Sequence, residues 1–537
     1  PRCSTIYSAQ SSFYEAIDMR FGLTGPHTYK WNESVSFGRE GAEIFAYNGT
    51  KVTVDCLGHR CFAYCPEPLY TKDMVKRCFP PSVLTGLTFR NARTVGNKEG
   101  GAVLRVIAAV DPQQRRNMII RNCIFEENSV ASGDGGALWI KAKRGRAAVH
   151  IIDSLFRNNR VAAGNGGAVA IDGTDLNVRS TRFESNTATK AGVDSRTTSL
   201  TTRHSSTPDD DDAADAASNN TSNRTSRLPI IEIDMTGNGG AMAIVASDIG
   251  SVVNVERCTF QWNRAQGLGG GVYVRESKFV VLLTKISQFT MDENTANMGG
   301  NIYGESSEIE FADNIDQPPI GIAATLKNGV AEKFGGSIAC IGSVMRLRRT
   351  ALNTNEAGLD GGGVYGILCM ATIELTEVKL NIAARTGGGV YFSSLSTLLL
   401  ADSELDNNRA TGSGGAVGVD NCRKVHVFAS RLFQNDAAEG AGLHFMKILL
   451  PPIVEESEIY ENHALEGGGG GILWSGTMPV TAGRVVINRN EGYYGKNIAS
   501  DVVALISSVR SGDVIACTNI HPFNPEISIT VIDYYNN

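Results

Sequence analysis

The side chains best suited to chemistry in this chain are scattered histidines and carboxylates. An enzyme that acts on a polysaccharide needs two or three carboxylates, or a basic residue beside them, on one face. The eight histidines share no motif, and His59, in the segment LGHRC, is interpreted as a surface residue. The sequence contains no Ser-His-Asp arrangement, P-loop or dinucleotide fingerprint. We therefore predict no catalytic residue and no organic cofactor.

Two aspartates stand directly before Gly-Gly pairs in turn sequences. Asp134 and Asp360 are candidate Ca²⁺ ligands, because this ion prefers carboxylate oxygens. The alternative is an aspartate that only favours the turn. An acidic run has the same two interpretations, a cation site or a solvated charged stretch: Asp209, Asp210, Asp211 and Asp212. Calcium is the one cofactor that the sequence leaves open.

Cysteines concentrate at the start of the chain. Five of the eleven lie within the first 78 residues: Cys3, Cys56, Cys61, Cys65 and Cys78. Their spacing is not that of a zinc ribbon, and no paired histidine follows. The pattern favours disulfide bonds that brace an N-terminal cap, with a metal site as the alternative. Their pairing does not follow from the sequence.

Five N-glycosylation sequons agree with secretion: Asn32, Asn48, Asn219, Asn220 and Asn223. The last three lie in a Ser/Thr-rich tract whose composition alone produces such matches. Together with the predicted disulfides, the sequons favour a secreted eukaryotic glycoprotein located outside the cell, at its surface.

Aromatic residues follow a Gly-Gly-hydrophobic unit at five places: Trp139, Tyr273, Tyr303, Tyr365 and Tyr391. Strand alternation points them away from the interior. We therefore expect an outward aromatic column that stacks on sugars or packs against a neighbouring rod. The ordinary strand propensity of aromatic residues is the alternative explanation.

The repeat that positions these residues predicts the fold. Gly-Gly followed by a small and a hydrophobic residue recurs at intervals of 26–36 residues, apart from one interval of 73. Each interval is one coil of a parallel β-helix, so we predict a right-handed, all-β solenoid of about fifteen coils, a rod roughly 70 Å long. The hydrophobic positions are Val103, Leu138, Val169, Met242, Val272, Ile302, Ile338, Val364, Val390, Val417, Leu443, Ile472 and Ile498.

A second motif, Phe-x-x-Asn or its aliphatic equivalent, keeps step with the first. We expect its asparagines to stack as a ladder, because Asn tolerates left-handed backbone angles and its amide can bond the Asn one coil away. Three coils depart: Phe289 precedes Asn294 by five residues, and the coils near Ile338 and Leu380 have no clean asparagine. The pairs are Phe125 and Asn128, Phe156 and Asn159, Phe183 and Asn186, Phe260 and Asn263, Phe311 and Asn314, Leu352 and Asn355, Leu405 and Asn408, Leu432 and Asn435, Ile459 and Asn462, Ile487 and Asn490.

Small residues occupy the position two before the Phe or Leu of this motif. We predict that they form one buried column, on which Cys123 and Cys258 are too far apart to form a disulfide. The column comprises Cys123, Ser154, Thr181, Cys258, Ser287, Thr350, Ser403, Ser430 and Ser457.

Three regions follow along the chain. Residues 1–95 are predicted to form the Cys-rich cap and the first irregular coils, and residues 96–500 the β-helix. The long interval marks a polar, acidic loop insertion at 187–238. Residues 501–537 lack the repeat and are predicted to cap the last coil or to form an interface.

Composition excludes several classes of protein. The 59 glycines come with only 16 prolines, and 42% of the residues are hydrophobic, which does not describe a disordered chain. A net charge of −6 without a basic, aromatic-rich stripe argues against a nucleic-acid partner. No apolar run is long enough for a transmembrane segment. The start at Pro1 without a signal pattern indicates a processed segment.

The repeat resembles that of the polymorphic outer membrane proteins of chlamydiae, whose signature is GGA-[ILV] with F-x-x-N. GGAL at 135–138 and FEEN at 125–128 carry the resemblance, which covers roughly residues 87–498. Similar repeats occur in large surface proteins of algae and other protists. The resemblance implies a pectin-lyase-like β-helix displayed at a cell surface, with adhesive or structural roles.

We therefore expect a non-catalytic extracellular structural or adhesive protein, a subunit of a cell-surface fibre or coat. Its partners would be other protein subunits or surface glycans. The alternative is a carbohydrate-active enzyme, namely a polysaccharide lyase, hydrolase or epimerase that acts in a groove on the β-helix. A cation-dependent adhesion module is a third hypothesis.

Overall fold

The chain forms β-strands throughout the regions for which a computed structural model describes it. These regions are residues 20–23, 28–30, 43–46, 51–62, 83–95, 100–109, 118–143, 148–190, 236–246, 250–285, 288–316, 318–500, 502–507 and 529–533. Within them, no helix is long and apolar enough to cross a membrane. Four long sheets run the length of the molecule, and we number them I to IV in the order in which the chain visits them.

Sheets I and II each contain fifteen strands. Sheet I comprises Arg20–Leu23, Glu43–Ala46, Val83–Thr85, Met118–Arg121, Ala148–Ile152, Asp175–Arg179, Val252–Glu256, Lys278–Leu283, Glu308–Asp313, Val344–Arg348, Met370–Glu374, Thr397–Ala401, Lys424–Phe428, Ile453–Glu455 and Val480–Ala482. Sheet II comprises Thr28–Lys30, Val52–Asp55, Leu87–Arg90, Ile124–Glu126, Leu155–Arg157, Arg182–Glu184, Thr259–Gln261, Phe289–Asp292, Ala324–Lys327, Thr350–Asn353, Glu377–Lys379, Glu404–Asp406, Arg431–Phe433, Glu458–Tyr460 and Val486–Asn488.

Sheets III and IV contain twelve and thirteen strands. Sheet III comprises Arg93–Thr94, Ser129–Val130, Arg160–Val161, Thr187–Ala188, Arg264–Ala265, Thr295–Met298, Val330–Phe334, Glu356–Ala357, Ile382–Ala383, Arg409–Ala410, Asp436–Ala437 and His463–Ala464. Sheet IV comprises Leu104–Ala109, Leu138–Lys143, Val169–Asp172, Met242–Val245, Val272–Arg275, Ile302–Glu305, Ile338–Ile341, Val364–Ile367, Val390–Ser393, Val417–Asp420, Leu443–Met446, Ile472–Ser475 and Ile498–Ser500.

A complete coil passes once through the four sheets, the first two coils have described strands in sheets I and II only, and every pairing within the four sheets is parallel. Phe125, for example, pairs with Phe89 of the coil before and with Phe156 of the coil after. Parallel strands that stack coil upon coil define a β-helix, so the predicted fold is confirmed. Fifteen strands in sheets I and II match the expected number of coils.

A glycine in the left-handed region sets each turn from sheet III into sheet IV. Three positions before every sheet IV strand stands a glycine with φ between 47° and 72°, a conformation that other residues adopt at a cost. In the first of these turns the glycine is Gly101, and Leu104 pairs with Leu138. Our choice of Val103 was therefore wrong by one position, since Gly101 and not Gly100 is the glycine with positive φ.

Buried asparagines form the predicted ladder at the corner between sheets II and III. The backbone N–H and the Nδ2 of Asn381 donate to Oδ1 of Asn408 at 3.1 and 2.9 Å. Nδ2 of Asn408 in turn donates to Oδ1 of Asn435 at 3.0 Å and to the Val378 carbonyl at 2.8 Å. The buried ladder positions are Asn128, Asn159, Asn186, Asn263, Asn294, Asn355, Asn381, Asn408, Asn435, Asn462 and Asn490.

Strand register corrects three of the predicted motif positions. The coil near Leu380 does have a ladder residue, Asn381, which follows Val378. The motif partner of Asn294 is Met291, which pairs with Phe260, and not Phe289. Phe311 belongs to sheet I, so Phe311 and Asn314 are not a ladder motif. Local spacing failed at these places because coil length varies, and only the neighbouring coils define the register.

One coil has Gly329 at the ladder position, and a side chain from another corner closes the gap. Nδ2 of Asn294 donates to Oδ1 of Asn301 at 2.8 Å, and the N–H of Gly329 donates to Asn355 Oδ1 at 3.0 Å. A Cβ on Gly329 would lie 2.7 Å from Nδ2 of Asn301, so glycine leaves the room that Asn301 fills.

The left-handed backbone at this corner belongs to the residue before each asparagine, not to the asparagine itself. Glu127, Trp262 and Leu380 have φ values of 57°, 55° and 56°. Our explanation of the asparagines by their own φ was therefore wrong. The preceding residue makes the bend, and the asparagine amide then points inward to pair with buried backbone groups.

The interior is packed with stacked rings and small residues. Phe89, Phe125, Phe156, Phe183 and Phe260 lie in consecutive coils with ring centroids 4.6–5.4 Å apart. The small column is confirmed as buried at Cys123, Ser154, Thr181, Cys258, Thr350, Ser403, Ser430 and Ser457, while Ser287 lies outside the described residues.

The two ends and the insertion interrupt this pattern. A disulfide joins Cys56 and Cys61 in the first coils, as expected for a braced N-terminal end. The insertion is narrower than predicted, because residues 187–190 and 236–238 still belong to the coils, and residues 191–235 lie outside the described regions. After the last parallel strand, Val502–Ser507 pairs antiparallel with Ile529–Asp533.

Candidate functional site

The aromatic column is aligned as predicted but is not exposed. Tyr273 stacks on Tyr303 at 5.8 Å, and Tyr365 stacks on Tyr391 at 5.7 Å. Tyr273, Tyr303 and Tyr365 are nevertheless only 1%, 0% and 4% exposed. The expectation of an outward binding surface is therefore wrong for these three tyrosines.

Side chains from the end of sheet III cover the tyrosines. Met298 and Phe334 end sheet III strands, Leu268 lies in the equivalent turn, and all three pack with the tyrosines in a second small core. Trp139 stands apart from this cluster, because Ala170 and Ala243 separate it from Tyr273, and the Arg105 guanidinium lies 4.4 Å from its ring centre. Tyr273, Tyr303 and Tyr365 therefore pack within this second core and do not present a sugar-binding platform.

Only two of the predicted cysteine and glycosylation sites lie within the described residues. Among the five N-terminal cysteines, Cys56 and Cys61 are joined, whereas Cys3, Cys65 and Cys78 lie outside the described residues. The five sequon asparagines lie outside them as well: Asn32, Asn48, Asn219, Asn220 and Asn223.

A disulfide that the sequence did not predict joins two neighbouring coils. Cys340, in a sheet IV strand, bonds Cys369 at the next corner, 29 residues later. Cys123, Cys258 and Cys422 are free and buried, as expected for the first two. Burial raises the pKa of each of these thiols to about 12, so they are poor nucleophiles.

Each of the two candidate calcium ligands accepts hydrogen bonds from groups of the protein. Asp134 accepts a 2.8 Å hydrogen bond from the backbone N–H of Asn165. Asp360 forms an ion pair with Arg385 and accepts the N–H of Thr386 at 3.1 Å. No cluster of three His, Cys, Asp or Glu side chains suited to a metal occurs in the described part of the chain. The run from Asp209 to Asp212 lies outside it.

Exposed apolar side chains concentrate near the corner between sheets IV and I in four of the last five coils. We call this surface the apolar strip: Leu368, Met370, Leu395, Leu399, Leu449, Leu450, Met478 and Val480. Met370 is 59% exposed and Leu449 56%, so about half of each side chain meets solvent. Eight such side chains present on the order of 500 Å² of apolar surface, at the upper end of what monomers expose.

The strip lies on corners that make apolar residues especially prominent. Leu368 and Leu395 occupy left-handed positions, with φ of 55° and 65°, where glycine or asparagine would be less strained. Three cations accompany the strip, namely Arg423, Lys424 and Lys447, and none of them forms an ion pair with another described residue. Exposed apolar side chains gathered beside cations are typical of a contact surface.

Acidic residues gather on the other side of the same coils, on sheet III and its turns into sheet IV. We call this surface the acidic edge: Asp436, Glu439, Leu465, Glu466, Glu491 and Tyr493. Leu465 and Tyr493 are 53% and 78% exposed. Glu439 accepts a 3.1 Å hydrogen bond from the Ser413 hydroxyl, whereas Glu466 and Glu491 have no ionic partner in the described chain.

One column that includes Asp436 of the acidic edge places an arginine, an aspartate and a histidine in consecutive coils. Arg409, Asp436 and His463 occupy the same strand position in three consecutive coils. Nδ1 of His463 lies 3.1 Å from Oδ1 of Asp436, and both side chains are 42% exposed. This is the only arrangement in the described residues in which a histidine, a carboxylate and an arginine occupy consecutive coils at one strand position. His59, by contrast, is exposed near the first disulfide, as predicted for a surface residue.

Sequence reasoning missed the apolar strip, the acidic edge and the Cys340–Cys369 bond. The strip residues follow no repeated motif, and they meet only because the coils stack. A usable signal did exist: leucine or methionine recurs at corners where the repeat elsewhere has Ser, Gly or Asn, such as Ser306, Gly342 and Asn421.

Comparison with known proteins identifies no family. No protein-family model matches the chain, and no curated protein matches it. Among solved structures, the periplasmic alginate epimerase AlgG matches with 12% identity and a TM-score of 0.37, over 71% of this chain and 78% of that one. A mutant of the same epimerase matches with 11% identity and a TM-score of 0.38 over the same shares. At these values no property of the epimerase transfers to this chain.

Proposed function

We propose that this chain is a non-catalytic extracellular structural or adhesive protein that serves as a subunit of a cell-surface fibre or coat. The apolar strip supports this function most directly. An apolar surface built from four of the last five coils, with Arg423 and Lys424 at its centre, is suited to contact with other protein subunits.

The disulfides support the proposed location. Cys56–Cys61 and Cys340–Cys369 would persist in an oxidising compartment and would be reduced in a cytosol. The stacked interior supports a mechanical role as well, because each coil buries its polar groups against both neighbours. A rod of this kind holds surface residues at fixed spacings of roughly 4.8 Å per coil.

Electron microscopy of material isolated from the native surface, with antibodies against this chain, tests the proposal. Ordered filaments or sheets that carry the label along their length are expected. Dispersed single rods, or label confined to soluble material, would contradict a structural role.

The column of Arg409, Asp436 and His463 favours a second candidate, a carbohydrate-active enzyme. A paired histidine and carboxylate can exchange a proton with a sugar, and an adjacent arginine can neutralise a uronate. We expect that any depolymerisation or epimerisation of an acidic polysaccharide panel would be lost in His463→Ala and kept in His59→Ala. Equal activity in both variants, or no activity in the wild type, would exclude this column as a catalytic site.

A further inference from the structure

The apolar strip and the acidic edge are complementary in charge. Arg423, Lys424 and Lys447 give the strip positive charge, and none has an acidic partner in the described chain. Glu466 and Glu491 on the acidic edge are exposed and equally unpaired. Each surface also exposes apolar groups, such as Leu450 on the strip, so each offers the other both apolar contact and opposite charge.

The two surfaces lie at the same level of the rod and face different directions. The coil that carries Arg423 and Lys424 at the strip also carries Asp436 and Glu439 at the edge. Sheets I and II separate the two surfaces in one direction around the coil, and sheet IV separates them in the other. One copy can therefore use both surfaces at once, for two different neighbours.

The area of the strip suits a stable contact between copies. A standard protein interface buries about 800 Å² per partner, a little over half of it apolar. The strip alone offers on the order of 500 Å² of apolar surface, which meets that share. Arginine and lysine at its centre would face one another in a strip-to-strip dimer, and this repulsion disfavours a two-fold arrangement.

From this complementarity we infer that copies of the chain associate side by side, with the apolar strip of one copy against the acidic edge of the next. A contact between two different surfaces repeats from copy to copy, so the copies form an extended row or a closed ring. This inference rests on the proposed structural function and names its partner: a second copy of this chain.

A charge-swap experiment on the full chain tests the pairing. One variant carries Arg423→Glu with Lys424→Glu, and the other carries Glu466→Lys with Glu491→Lys. In sedimentation velocity at low salt, each variant alone should associate at least about tenfold more weakly than the wild type, because like charges then face each other. An equimolar mixture of the two should recover the association, since every contact in it is again between opposite charges.

A matched control variant shows whether the effect is specific to the two surfaces. Lys51→Glu with Arg93→Glu reverses two exposed cations in the first coils and should leave association unchanged. The inference is overturned if the mixture does not recover, if only the strip variant is impaired, or if the wild type stays monomeric. Labelled native filaments together with a monomeric purified chain would overturn this inference alone and leave the proposed function standing.

Discussion

Replacing Asn408 by alanine should destabilise the rod far more than replacing an exposed asparagine. The side chain makes four hydrogen bonds in the ladder, two received from Asn381 and one donated to each of Asn435 and Val378. Alanine leaves the buried N–H of Asn381 without its acceptor, which costs about 1–3 kcal/mol, and it removes three further bonds of about 1 kcal/mol each. The free energy of unfolding should fall by roughly 4 kcal/mol.

Guanidinium unfolding followed by circular dichroism measures this loss, and hydrogen exchange of residues 375–440 locates it, since solenoids can unfold in segments. The control is Asn488→Ala, an exposed residue in a sheet II strand, which should change stability by less than about 0.5 kcal/mol. Asn408→Asp should be worst above the ordinary pKa of aspartate and recover partly in acid. Its ionised form keeps both acceptor bonds but cannot donate. A loss below about 1 kcal/mol in Asn408→Ala would refute the view that the ladder bonds stabilise the fold.

Four further predictions follow from individual positions. Leu380→Gly should stabilise the protein by about 1 kcal/mol, because Leu380 has a φ of 56° and is exposed; Ile382→Gly, in an ordinary strand, should destabilise it in the same melting assay. Burial raises the pKa of Asp134 although the residue keeps some accessible surface, so ionisation opposes folding above the ordinary aspartate pKa. Asp134→Asn should therefore raise the melting temperature at pH 7, and this gain should vanish as the pH falls below 4; a gain independent of pH would contradict the cause given. Replacing Cys340 and Cys369 by serine should cost about 3–4 kcal/mol from the loss of a 29-residue loop closure, and reducing agent should then have less effect on melting than it has on the wild type. Thiol labelling with mass-spectrometric readout should modify the buried thiols only after denaturation, and rapid native labelling would contradict their burial: Cys123, Cys258 and Cys422.

The repeat predicted the β-helix because every coil needs the same kinds of residue at the same turns and corners. A left-handed turn requires glycine at Gly135 and its equivalents, and a buried corner requires an asparagine amide, so both residues recur with the period of the coil. The buried small column followed from the same period. The types of these residues are determined by contacts with the coils directly above and below, and those contacts are nearly identical along the rod.

The errors occurred where coils differ in length. Phe311 and Asn314 match the motif in the sequence, but Phe311 lies in a sheet I strand and Asn314 directly follows it, and the ladder position of this coil is Gly329. Asn301 then closes the gap from another corner, which no local pattern reveals. Register between coils is a property of the stack, so a motif counted along one coil cannot determine it.

The sequence by itself determined the parallel β-helix and its ladder of asparagines, because glycine, asparagine and hydrophobic spacing encode one coil at a time. Only the tertiary structure decided what the surface presents. It covered Tyr273 and Tyr303 with side chains from sheet III and its turns, joined Cys340 to Cys369, and assembled apolar side chains from four coils into the apolar strip. Whether a side chain is exposed, and which side chains lie next to it, depends on residues from other coils at the same corner. Only the stacking of the coils brings those residues together.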